Sequence, residues 1–147
     1  MTEILMLSPE HPLWLPTADY AAACSWRAGP YLSKQMQTNG FSGWERVFIA
    51  VKEDKIMGYC TLASRDCIPD VEYTPYIGFV FVGEAYRGER LSEQLIRAVL
   101  TYAKTLGFST VYLVSGERGL YEKYGFVKQE EHRDQWGNWE QIFAIRI

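Results

Sequence analysis

"IGFVFVGEAYRGERLSEQL", Ile77 to Leu95, is the stretch on which the fold turns. Ile77–Val82 is apolar apart from Gly78, which is the pattern of a buried strand. From Leu91 onward the apolar spacing is that of a helix. Between them stand Arg87, Gly88 and Arg90. A strand that becomes a helix through a glycine and two arginines is either a solvated turn or an anion cradle. The first turn of a helix leaves backbone N–H groups without intrahelical partners, and the aligned peptide dipoles add partial positive charge there. A glycine lets the backbone approach a bulky anion. Phosphates bind such places readily, and two guanidinium groups can add charge-assisted hydrogen bonds.

Working outward, Leu91–Leu106 is predicted as the long helix. Leu91, Leu95, Ala98, Val99, Tyr102, Ala103 and Leu106 share one face, and Gly107 stands at the C-terminal cap. "STVYLVS", Ser109–Ser115, is a further strand, so strand, helix and strand form one parallel crossover. "GLYEKYG", Gly119–Gly125, reads as a short helix stopped by its last glycine. A closing hairpin turns near Gly137-Asn138. Upstream, Thr2–Leu7 is a first strand. Thr17–Trp26 and Tyr31–Thr38 are two short helices separated by "AGP" and closed by "NG". "ERVFIAVKEDKIMGYCTLA", Glu45–Ala63, is a hairpin turning at Glu53-Asp54. Pro69 and Pro75 keep Ser64–Pro75 irregular. The fold class is therefore mixed α/β (α+β): one mostly antiparallel sheet flanked by helices, in a single domain over residues 1–147.

Composition narrows the function. The chain has 147 residues, enough for one domain with a real core. Its net charge of −3 gives no global attraction to nucleic acid or an anionic membrane, so a phosphorylated ligand must be held by local geometry. No window reaches about eighteen apolar residues, and no signal peptide is expected. Cys24, Cys60 and Cys67 form no C-x-x-C pair. Their odd number and spacing favour a reduced, cytoplasmic setting. His11 and His132, the only histidines, lack partners at metal-ligand spacing, so no metal is expected. Walker-type, dinucleotide-binding and nucleophile-elbow motifs are all absent.

Two stretches together carry a resemblance. "RGERLS", Arg87–Ser92, and "YEKYGF", Tyr121–Phe126, lie one strand apart. In that order the chain resembles the GNAT superfamily of acyl-CoA-dependent N-acetyltransferases. In that family a strand leads into an [RQ]-x-x-G-x-[GA] loop, and a Tyr-x-x-x-Gly-Phe segment follows. Arg87 takes the first loop position, and Gly88, Glu89 and Leu91 the free ones. Arg90 replaces the usual glycine, and Ser92 takes the small-residue position. A helical backbone at Arg90 would accommodate its Cβ, with the side chain turned aside or toward phosphate. Tyr121, Gly125 and Phe126 fit the second segment in full. The family's asparagine seven residues before the tyrosine is Val114 here, so that contact is not carried over.

The resemblance implies acetyl-CoA as co-substrate, with its pyrophosphate on Arg87, Gly88, Arg90, Leu91 and Ser92. It implies that Val80 and Val82 present backbone groups to the acyl carbonyl and the pantetheine amides. An N–H fixed at Val80 would stabilise the charge that develops when an amine attacks a thioester. Both valines serve equally as core residues. Tyr121 would act as general acid toward the leaving thiolate.

A base must accept the amine proton. Among Asp66, Asp70 and Glu72, Glu72 is the first choice because it stands nearest the strand start. Trp44, Tyr73, Tyr76 and Trp136 are candidates to line the acceptor cleft. The implied activity is direct acetyl transfer to a primary amine of a small molecule or peptide, with no nucleic-acid or membrane partner. Some members of the family pair through the C-terminal strand, so a homodimer is compatible. The alternative reading is a non-catalytic acyl-CoA-binding sensor or regulatory module.

Overall fold

The computed structural model describes residues 2–69 and 71–147. Along the chain the elements are β1 (Glu3–Leu7), α1 (Trp14–Ala23), α2 (Gly29–Gln37), β2 (Arg46–Lys52), β3 (Lys55–Ala63) and β4 (Tyr76–Val82). There follow α3 (Leu91–Thr105), β5 (Thr110–Ser115), α4 (Leu120–Lys123), β6 (Val127–Arg133) and β7 (Trp139–Arg146). A single 3-10 turn, Glu84–Tyr86, lies between β4 and α3. The seven strands form one sheet in the order β1-β2-β3-β4-β5-β7-β6. Every pairing is antiparallel except β4 with β5. That parallel pair is the crossover through α3, as the sequence predicts.

Local chemistry explains the elements. Glu53 and Asp54 take φ of +52° and +64°, so the β2–β3 hairpin closes on two left-handed residues whose twist suits the flanking strands. Helix α3 ends as predicted: Gly107 has φ +92°, its N–H donates to the Lys104 carbonyl, and Phe108 N–H reaches back to Ala103. Its buried face is Leu91, Leu95, Ile96, Val99, Leu100 and Ala103. Leu106 lies beyond the helix and is 38% exposed, so it leaves the predicted face, and Ile96 and Leu100 join it.

The two early helices start sooner than predicted. Pro16 falls in the first turn of α1 and Pro30 in that of α2, where a missing N–H costs nothing. "AGP" thus opens α2 instead of separating the helices. Gly29 allows the two helices to touch: a Cβ there would come 2.2 Å from the Ala21 carbonyl oxygen.

The sheet has two apolar faces, each covered. Helix α3 lays Leu95, Val99 and Ala103 on Phe48, Leu62, Ile77, Leu113 and Phe143. On the other face, Trp14, Ala18, Leu32 and Met36 of α1 and α2 cover Leu7, Val47, Ile49, Tyr59 and Phe81. Each large side chain so buried contributes about 1.5–3 kcal/mol. No helix among the described residues is long and apolar enough to cross a membrane.

The sheet opens at its centre. Strands β4 and β5 pair only at Tyr76–Tyr112 and Ile77–Leu113, then diverge. On its other side β4 carries a bulge. Tyr59 pairs with Phe81 and Thr61 with Gly78, so two steps on β3 face three on β4. Phe79 and Val80 have no register partner on β3. Phe79 takes φ +49°, an uncommon conformation for a non-glycine residue, of the kind that bulges impose. Its ring lies edge-on to Trp26.

Candidate active site

Two hollows meet at this opening. The first encloses about 560 Å³ and is lined by Val80, Phe81, Val82, Arg87, Gly88, Arg90, Leu91, Ser92, Leu120 and Tyr124, among others. The second encloses about 680 Å³ between the diverging strands, Arg65, Asp66 and Cys67, and the β6–β7 turn. Trp26, Val80, Glu117 and Tyr121 line both. The hollows differ in charge. Arg87 and Arg90 outnumber Glu117 in the first, whereas Asp66, Glu117, Asp134 and Glu140 outnumber Arg65 in the second.

The first hollow gathers every predicted cofactor residue. Gly88 has φ +89° and Arg90 φ +61°, and α3 starts with no side-chain cap. The N–H groups of Gly88 through Glu93 find no protein acceptor among the described residues. A bare helix start after two left-handed residues suits a bulky anion, so the loop fits a pyrophosphate.

Arg90 differs from expectation. Its backbone is left-handed, not helical: it keeps the conformation that glycine adopts freely and carries the steric cost of a Cβ there. Its side chain is 84% exposed, with Nη1 3.8 Å from the Glu93 carboxylate, a screened contact worth little. Arg87 is better placed. Its Nε–H donates to the Val82 carbonyl at 3.0 Å, and its guanidinium lies 5.9 Å from the Phe81 ring centre. The Val82 carbonyl is therefore already engaged. Leu91 packs its side chain into the core and offers the hollow main chain. Ser92 Oγ pairs with Tyr124 Oη at 2.8 Å, tying the loop to α4.

Tyr121 stands where the hollows join. It is 7% exposed, and its ring is caged by Tyr124, Phe126 and Phe143. Its hydroxyl makes no protein hydrogen bond among the described residues. Burial first, then the Glu117 charge, pushes its pKa well above the ordinary phenol value, so it stays protonated at neutral pH.

Glu72 is not brought to this site: it is exposed and lines neither hollow. Nearness in sequence to β4 therefore does not become nearness to the opening. Asp70 lies outside the described residues.

Asp66, by contrast, lines the second hollow. Its Oδ1 accepts the Cys67 N–H. Its Oδ2 sits 3.0 Å from where a Cβ on Gly78 would be, with Thr61 Oγ1 at 3.1 Å, so only glycine leaves this carboxylate room beside the bulge. Burial raises the Asp66 pKa, partly offset by the Cys67 hydrogen bond. Across the opening, Glu140 Oε2 lies 3.5 Å from the Cβ position of Gly116. Its pKa is also raised, by burial and then by Asp134 and Asp66. Asp134 is 7% exposed, and its Oδ1 accepts the Trp136 and Asn138 N–H groups.

Of the four aromatic candidates, Tyr76 and Trp136 line the second hollow. Trp44 packs edge-on against Phe108 beside α3, and Tyr73 donates to Glu130 Oε2 at 2.7 Å; neither lines the hollow. Trp26, Glu117, Asp134 and Glu140 were not anticipated. Glu140 had a legible signal: with Ile142 and Ala144 it alternates onto one face of β7, where a carboxylate is out of place unless it serves a site. No cluster of metal-ligating side chains occurs among the described residues.

A bulged strand, a splayed parallel pair, an uncapped loop and a tyrosine at the junction are now in place. The profile of the acetyltransferase (GNAT) family matches residues 10–126. The chain belongs to the GNAT acetyltransferase family. No curated protein matches it in sequence. Solved GNAT-type structures share its fold at low identity. An Elizabethkingia anophelis GNAT acetyltransferase with acetyl-CoA bound is 16% identical, with 99% and 98% of the two chains covered and a TM-score of 0.70. An aminoglycoside 6'-acetyltransferase type Ii is 14% identical over 98% and 96%, with a TM-score of 0.76. An acetyltransferase from Streptococcus agalactiae is 18% identical over 99% and 98%, with a TM-score of 0.69. Within this GNAT fold, the β4 bulge and the β4–β5 opening are the features that create the two hollows.

Proposed function

We propose that this GNAT protein transfers an acetyl group from acetyl-CoA to a primary amine by direct attack, with the co-substrate in the Arg87–Ser92 hollow and the amine in the acidic one. The observation that carries this reading is the shared lining. Val80 and Tyr121 border both hollows, so donor and acceptor can meet between them.

When bound, acetyl-CoA supplies an acetyl thioester. Arg87 and the free N–H groups of Gly88 to Glu93 hold its pyrophosphate. The Val80 N–H, released from β3 by the bulge, is the donor for charge developing on the carbonyl oxygen; one such donor is worth about 10²–10³ in rate. Asp66 accepts the proton of the attacking ammonium, and its raised pKa makes it a better base than an exposed carboxylate. Tyr121 donates to the departing sulfur. Its pKa stands above that of a thiol, about 8.5, so it supplies a hydrogen bond to the thiolate more readily than a completed proton transfer.

The test is coenzyme A release from acetyl-CoA with a panel of primary amines, confirmed by mass spectrometry of the amide product. The expected result is amine-dependent release with no acetylated protein. Tight acetyl-CoA binding without transfer to any amine would replace the enzyme with an acyl-CoA-binding module.

A further inference from the structure

The acidic hollow holds more negative charge than one attacked amine requires. Asp66 lies against Gly78 on the β4 wall, beside the bulge. Glu140 lies against Gly116 beyond the end of β5, on the opposite wall. Asp134 is buried at the β6–β7 turn; its Oδ1 is saturated by two N–H groups, and no donor among the described residues reaches its Oδ2. Arg65 is the one cation lining this hollow among the described residues. These carboxylates do not converge as metal ligands do. They are spread across the walls, as suits an organic cation with separated charges.

A second, independent observation marks a ligand. Tyr76 lines the same hollow, is only 2% exposed, and its hydroxyl has no hydrogen-bond partner among the described residues. Native proteins seldom leave such a group unmatched, because a buried unsatisfied hydroxyl is destabilising. Asp66 is the charge that acts on it most strongly. A ligand that draws the hollow's carboxylates and this hydroxyl into one network would supply the missing partner.

The rest of the lining is aromatic. Trp26 borders both hollows, and Trp136 stands at the outer hollow with 65% of its surface exposed. Indole faces suit methylene chains and cationic nitrogens alike. Carboxylates on different segments and indoles in the same hollow match a flexible aliphatic chain bearing more than one ammonium.

We propose that the acceptor is an aliphatic diamine or polyamine: one nitrogen is acetylated beside Asp66, while a second, still charged, is held by Glu140 and Asp134. The proposal rests on the acetyltransferase reading above and names its substrate class. The second ammonium does not react; it fixes the chain so that the first nitrogen points to the junction.

The test compares 1,4-diaminobutane and spermidine with n-butylamine at saturating acetyl-CoA. The diamine and triamine are expected to exceed the monoamine in kcat/KM by at least about 10-fold, with the difference mainly in KM. One ammonium–carboxylate contact readily supplies that factor. In Glu140→Gln the ratio of diamine to monoamine kcat/KM falls toward one. Asp134 is left alone because it holds the turn. Tyr76→Phe is expected to raise the diamine KM while the melting temperature does not fall.

Equal kcat/KM for diamine and monoamine in the native protein would overturn the proposal, as would a ratio unchanged in Glu140→Gln. So would a lysine peptide turned over faster than every diamine. Calorimetric binding of 1,4-diaminobutane separates the two levels. Diamine binding that Glu140→Gln weakens, without transfer, keeps the subsite and removes the transferase. Transfer without diamine preference does the reverse. Neither binding nor transfer removes both.

Discussion

Tyr121→Phe lowers kcat by about 10²-fold, while acetyl-CoA affinity changes less than about 3-fold. The figure is the low end of what a positioned acid contributes, about 10²–10⁴. The low end applies because the raised pKa makes Tyr121 a hydrogen-bond donor to sulfur more than a full proton source. Affinity is expected to be spared because the proposed pyrophosphate contacts lie on the Arg87–Ser92 loop. The substitution removes only the hydroxyl, so the ring keeps its packing against Tyr124, Phe126 and Phe143. Steady-state kinetics and calorimetry on one preparation separate the two effects. Equal turnover in the variant would remove Tyr121 from the chemistry and leave it a packing residue.

Asp66→Asn has the second large effect, and it has two signs. Activity falls by about 10²–10³-fold at neutral pH, because the amine loses its proton acceptor. The acid limb of the native kcat/KM profile, displaced upward from the ordinary carboxylate range by the burial of Asp66, disappears in the variant. Stability moves the other way. The folded-state pKa is raised, so the folded state holds this proton more tightly than the unfolded chain does. The contribution is then fully present below the unfolded value, about 3.9, and is lost as pH rises through the folded value. At neutral pH the native protein carries a buried charge at a cost, which asparagine removes. The melting temperature of Asp66→Asn is expected to exceed the native one at pH 7.5 and to converge with it as pH falls toward 4. A Glu72→Gln variant should show neither effect. The reverse pattern, with loss in Glu72→Gln alone, would return the base to Glu72.

Strong periodicity makes most of the fold legible. The predicted span of α3 and its Gly107 cap agree with the observed helix to within one residue. The Glu53-Asp54 turn and the closing hairpin are equally plain. The early boundaries slip because Pro16 and Pro30 sit in first turns, where proline opens a helix, although each looks in sequence like a break.

The site divides along a physical line. The Arg87–Ser92 loop and the Tyr121–Phe126 segment are local motifs, each legible within its own run of residues, and the Ser92–Tyr124 contact joins them in space. The acidic hollow is non-local. It is assembled from Asp66, Asp134 and Glu140 across three segments, and the Gln135 N–H to Cys67 carbonyl bond at 2.8 Å joins two of them. Nearness in sequence to β4 selects Glu72, but the loop turns that residue outward. The bulge at Phe79 is also hidden, since "IGFVFV" reads as an unbroken strand and its extra residue shows only against the register of β3.

Calorimetric titration of acetyl-CoA against S-acetylpantetheine, in the native protein and in Arg87→Ala, tests the central claim most directly. Both ligands carry the thioester, but only acetyl-CoA carries the pyrophosphate. Acetyl-CoA is expected to bind the native chain in the micromolar range, typical of enzyme substrates, and at least about 10²-fold more tightly than S-acetylpantetheine. Arg87→Ala should shrink that gap. Equal affinities for the two ligands, or no acetyl-CoA binding at millimolar concentration, would contradict the account and leave the loop between β4 and α3 a solvated turn.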